Sequence, residues 1–175
     1  YDGYTPEFYK TFPYSLRPIL HRYLQQGGSL LVSGAYIGSD MTGEEEKAWL
    51  KDNLKLTYQS DSTADIQETV TGMGMNFSFW HQLNDRHYAA IHPDIIAPTE
   101  NAICAMQYSD GNPAAVAYQG NNYKCVTMGF PFECIKNSKD RSMIMQGILN
   151  YLQPSSSHQT PYMTKSNISK PINQK

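Results

Sequence analysis

The chain has 175 residues, enough for one domain with a substantial core and too few for two generous ones. Its 14 Lys and Arg against 16 Asp and Glu give a net charge of -2, and the basic residues are scattered rather than striped, which argues against a nucleic-acid or anionic-lipid partner. No apolar run approaches the roughly 18 to 20 residues that span a bilayer. The three cysteines, Cys104, Cys125 and Cys134, are odd in number and lack CxxC spacing, so they indicate neither a disulfide framework nor a structural zinc site.

Residues 1–13 carry Gly3, Pro6 and Pro13 without periodicity and read as a loop lead-in to a domain over 14–153. The opening Tyr1-Asp2-Gly3-Tyr4 has no methionine, as expected of a piece of a longer protein. A helix follows: Ser15 is a candidate cap, Pro18 fits a first turn, and Leu16, Ile19, Leu20, Tyr23 and Leu24 make one apolar stripe. Gly27-Gly28 stops it, and the apolar run Ser29-Leu30-Leu31-Val32-Ser33 reads as a strand buried on both faces. A strand should precede that helix in a βαβ unit, so the first strands are expected upstream of this chain.

Thr42 with Glu45 reads as a capping box for a helix ending near Leu54, its first turn crowded by Glu44, Glu45 and Glu46. Short strand-like runs follow at 55–59, 66–71, 76–80 and 87–91. The runs 103–108, 114–119 and 123–128, joined by Asp110-Gly111-Asn112-Pro113 and Gly120-Asn121-Asn122, form a β-meander. A last helix from about Ser138 carries Met145, Ile148, Leu149 and Leu152 on one face and is stopped by Pro154. Residues 154–175 are polar and read as a flexible tail containing the sequon Asn167-Ile168-Ser169.

The order of a helix ending in Gly-Gly, the strand Leu30-Leu31-Val32-Ser33-Gly34, then Ala115-Val116-Ala117-Tyr118, Val126-Thr127-Met128-Gly129-Phe130-Pro131-Phe132-Glu133 and a helix with Arg141 resembles a class I glutamine amidotransferase-like domain. It is similar in particular to the type in secreted Bacteroidetes proteins labelled xanthan-lyase-like, over about residues 14–152. The resemblance implies an α/β, flavodoxin-like open sheet flanked by helices, with the meander as an antiparallel extension. It also implies a secreted, periplasmic or cell-surface setting among polysaccharide or neighbouring domains.

The family's chemistry needs a cysteine on a strand-to-helix elbow, a histidine to take its proton and a glutamate to orient the imidazole. Here Pro131 stands where the histidine should be, and Val32-Ser33-Gly34-Ala35-Tyr36 holds no cysteine. The resemblance therefore implies a scaffold that lost its amidase and serves as an accessory domain without a cofactor. Two readings stay beside it: a hydrolase or lyase with a non-standard site at Ser33 and Glu133, with Cys134 as another nucleophile, and a purely structural scaffold.

Tyr36, Asp40, Glu133 and Arg141 are the candidate binding residues. Trp80, His81, Tyr88 and Tyr108 are candidates for an aromatic platform under a sugar ring. His87 and His92 with Asp94 invite a metal reading, but on a strand positions five apart face opposite sides, which disfavours joint ligation.

Overall fold

The computed structural model describes residues 10–61 and 68–153. The proposed tail at 154–175, its sequon and most of the lead-in lie outside them. Three helices, α1 (Arg17–Gln25), α2 (Glu44–Leu54) and α3 (Ser138–Leu152), flank a curled open sheet. Its strands are β1 (Ser29–Ser33), β3 (Thr69–Gly72), β4 (Met75–Ser78), β6 (Ile103–Tyr108), β7 (Pro113–Gln119) and β8 (Lys124–Met128), in the order β1-β8-β7-β6-β3-β4. A separate two-stranded ribbon pairs β2 (Leu56–Asp61) with β5 (Asp94–Pro98).

Among these strands β1 and β8 alone run parallel, with Ser29 opposite Lys124 and Ser33 opposite Met128. All the other pairs are antiparallel. The meander β6-β7-β8 is thus the centre of the sheet rather than an extension of a parallel core. Its two-residue side-chain alternation divides the interior. Leu30, Val32 and Val116 face a core built with Leu16 just before α1, Leu20 of α1, and Leu50 and Leu54 of α2. Leu31, Ala115, Ala117, Val126 and Met128 face a second core with Ile144, Ile148 and Leu152 of α3. The ribbon serves both, since Leu56 and Ile96 join the first core and Ile95 the second.

Several local expectations shift. Leu16, not Ser15, occupies the N-cap of α1, and no side chain caps it. The cap of α2 is Gly43, whose N–H donates to Glu46 Oε2 at 3.0 Å, so the box sits one residue later than Thr42 and Glu45. Lys55 then ends α2 in the left-handed conformation (φ 56°). Along α3 the buried face is Ile144, Ile148 and Leu152, while Leu149 is 53% exposed. The expected strand at 87–91 is irregular chain, and β5 forms instead just after it.

Candidate functional site

The parallel pair fixes the site. Ser33 ends β1 beside Met128, where β8 ends, and the two chains leave the sheet together. Past Gly129 the chain turns through Pro131 into one turn of 3-10 helix, Phe132–Cys134. Ser33 Oγ accepts the Phe132 N–H at 2.6 Å, so the serine staples this turn to β1. Among the described residues no imidazole hydrogen-bonds Ser33. His21 Nδ1 meets Asn53 Oδ1 at 2.7 Å, His81 Nδ1 meets the Ala90 carbonyl at 2.8 Å, and His87 stacks on Trp80.

The turn is also zipped to the segment after β4. Trp80 N–H donates to Cys134 O at 2.7 Å, Lys136 N–H to Ser78 O at 2.8 Å, and Ala90 N–H to Trp80 O at 2.9 Å. Arg141 Nη1, from the first turn of α3, donates to the carbonyl oxygens of Ile135 and Lys136. These bonds hold open a groove of about 510 Å³ lined by Trp80, His87, Tyr88, Phe132, Glu133, Lys136 and Arg141.

Within it the His87 ring lies on Trp80 with centroids 4.6 Å apart and planes 8° from parallel. Lys136 Nζ sits 4.3 Å from the centroid of Trp80 and pairs with Glu68. Tyr88 is 61% exposed, and Glu133 is exposed. Partial burial, then the neighbouring Cys134 thiol and Glu133 carboxylate, raises the Tyr88 phenol above its usual value.

The expected site residues therefore separate. Glu133 and Arg141 share the groove, but Arg141 braces backbone carbonyls instead of pairing with Glu133. Asp40 Oδ2 accepts from the N–H and Oγ1 of Thr11, both at 3.1 Å, so it ties down the lead-in. Tyr36 is half-exposed on the loop after β1, and its carbonyl accepts from Thr11 Oγ1. Of the aromatic platform, Trp80 and Tyr88 line the groove, while His81 and Tyr108 are buried. Cys134 is buried, and that burial, with Glu133 nearby, pushes its thiol up to about 11, away from a thiolate.

His87 lies in irregular chain, so the alternating-face argument against a metal site does not apply there. Among the described residues no three His, Cys, Asp or Glu side chains converge as metal ligands.

In the sequence Asp94 stands out only as a neighbour of His87 and His92. It heads β5 with its side chain fully buried. Its Oδ2 accepts the Gly38 N–H at 2.6 Å and the Ser39 N–H at 3.3 Å. Its Oδ1 has no hydrogen-bond partner among the described residues. Burial pushes this carboxyl up to about 6 against the pull of the Gly38 and Ser39 bonds, with Asp61 adding to the rise. Asp94 thus latches the loop after β1 to the ribbon, 56 residues away in sequence. The one sequence signal was an acid directly ahead of the apolar run Ile95-Ile96-Ala97.

No family model matches the chain, and no curated protein matches it. Solved structures do. Gan42B, a GH42 β-galactosidase from G. stearothermophilus, aligns with a TM-score of 0.54 at 15% identity over 80% of this chain and 20% of that chain. A polyextremophilic β-galactosidase from Halorubrum lacusprofundi gives 0.52 at 16% identity, over 79% of this chain and 20% of that one. A cytoplasmic protein of Salmonella typhimurium LT2 gives 0.50 at 11% identity, over 79% of this chain and 60% of that one. The chain spans about a fifth of the length of these β-galactosidases, and at such identities the likeness is one of fold: a mixed α/β sheet flanked by helices.

Proposed function

We propose that this chain is a non-catalytic accessory domain on a flavodoxin-like, glutamine amidotransferase-like plan, working in a larger secreted bacterial protein that handles polysaccharide. The observation that carries the non-catalytic half is the Ser33 hydroxyl, which accepts the Phe132 N–H where an elbow nucleophile would stand. Pro131 occupies the base position and offers no proton acceptor. Loss of nucleophile and base together removes several orders of magnitude of rate. The carbohydrate half is supported by the β-galactosidases that share the fold and by an open groove lined with aromatic, carboxylate and guanidinium groups.

Two assays test the proposal. Glutamine and chromogenic β-galactosides and mannosides should give no turnover above buffer, and a fluorophosphonate probe should leave Ser33 unlabelled. Affinity electrophoresis through gels containing galactan, galactomannan or xanthan should retard the protein in at least one. Turnover that disappears in Ser33→Ala would replace the accessory reading with the hydrolase one, and free migration in every gel would leave a scaffold role.

A further inference from the structure

This inference rests on the carbohydrate reading and names the site and the sugar chemistry. We propose that the groove between Trp80, Tyr88 and the start of α3 binds one neutral pyranose unit, its apolar face on Tyr88 and its hydroxyls between Glu133 and Arg141. At about 510 Å³ the groove lies within the range of small-ligand sites, roughly 300–1,000 Å³.

The stacking surface is Tyr88 rather than Trp80. Trp80 already carries the His87 ring and the Lys136 ammonium. The Tyr88 side chain is the more open one, while its carbonyl is held by the Cys134 thiol at 3.5 Å. An aromatic ring attracts the polarised C–H face of a sugar, and the exposed Tyr88 ring can receive it.

Polar complementarity points to a diol. A vicinal hydroxyl pair donates and accepts, so it needs an acceptor and a donor side by side. Glu133 supplies the acceptor and is exposed, with no ion-pair partner among the described residues. Arg141 supplies donors in a rigid fork, and its Nη1 is anchored by the Ile135 and Lys136 carbonyls, so the rest of the guanidinium is presented without further ordering.

Charge then chooses between neutral and acidic sugars. Lys136 is offset by Glu68, and Arg141 is matched by Glu133 in the same groove. A uronate or sulfate would meet Glu133 with no surplus cation to neutralise it, whereas a neutral hexose leaves this balance intact.

The test is affinity electrophoresis of the protein as it stands in galactomannan and in xanthan gels, followed by calorimetric titration with methyl β-galactopyranoside, methyl α-mannopyranoside and glucuronate. Wild type should bind a neutral probe with little salt dependence. Tyr88→Ala and Glu133→Gln should each weaken it about tenfold or more, with melting temperatures near wild type. Tyr14→Ala, on the exposed side of the chain before α1, should bind as wild type does.

If wild type binds a sugar but both groove variants bind equally well, this site is wrong and the accessory reading survives. Binding confined to glucuronate or xanthan, and abolished by salt, overturns the neutral class. If no saccharide binds at all, both readings fall together.

Discussion

Two side chains near the ends of β1 and β5 show how single polar groups carry this fold. Asp94 is buried with its carboxyl raised from 3.8 to about 6, facing the Gly38 and Ser39 N–H groups, with the Tyr58 phenol and Asp61 carboxylate on the ribbon and the Tyr108 hydroxyl bonded to its own carbonyl. A folded-state pKa above the unfolded one means the native state holds the proton more tightly. Its contribution is fully present below about 4 and is lost as pH rises to about 6. Denaturant melts between pH 4 and 7 should show this decline, of about 1–3 kcal/mol, and Asp94→Asn should flatten it. A variant with an unchanged pH profile would mean that Asp94 does not titrate in that window. Ser33→Ala leaves the Phe132 N–H without its acceptor and should cost about 1 kcal/mol in the same melts. At this scale the sequence singled out Ser33, Glu133 and Arg141; in the structure Ser33 ends β1, while Glu133 and Arg141 line the groove. The sequence could not show that the Ser33 hydroxyl and Arg141 Nη1 bond backbone groups, because those partners are set by turn geometry.

At the scale of elements, Glu46 joins three segments. It accepts from Gly43 N–H at the start of α2, from Lys10 at 2.5 Å in the lead-in, and from Arg17 at 2.8 Å in α1. Glu46→Ala removes the cap and strands two cations that are themselves largely covered, so it should cost about 2–4 kcal/mol in equilibrium unfolding. A loss below about 0.5 kcal/mol would show that water replaces the carboxylate freely. Gly129 is a second tight point: a Cβ there would lie 2.1 Å from the Asp94 carbonyl oxygen, a backbone atom with no room to retreat. Gly129→Ala should therefore break the Asp94 N–H to Gly129 O bond of 2.7 Å and lower the melting temperature more than Gly111→Ala, where nothing lies within 4 Å. Since Gly111 has a φ of +85°, its own cost is backbone strain, so the comparison sets a steric clash at Gly129 against a strained turn at Gly111. The meander and α3 were legible because their turns and apolar periods are local. The strand expected at 87–91 does not form: His87 and Tyr88 line the groove, and the Ala90 N–H donates to Trp80 O.

At the scale of the whole molecule, β1 forms an edge of the sheet among the described residues. Gly34 N–H donates to Met128 O, so the even residues of β1 face β8 and the odd ones face outward. Tyr23 Oη covers one outward carbonyl, that of Ser29, at 2.9 Å. Amide exchange should then be faster at Leu31 and Ser33 than at Val32 and Gly34 within the same strand. Uniform protection would mean that another strand pairs along this edge.

What the sequence determined by itself was the set of local pieces: the glycine-stopped α1, the apolar β1, the turn-linked β6-β7-β8 and the α3 that starts at Ser138. Each depends on a periodicity or a turn residue within a few positions. Tertiary structure alone decided that β8 lies parallel to β1, which brings Phe132 to Ser33 across 99 residues, and that the loop after β1 closes on a buried Asp94. Those contacts are long-range pairings chosen by which apolar faces can be covered together, and no local pattern encodes that choice.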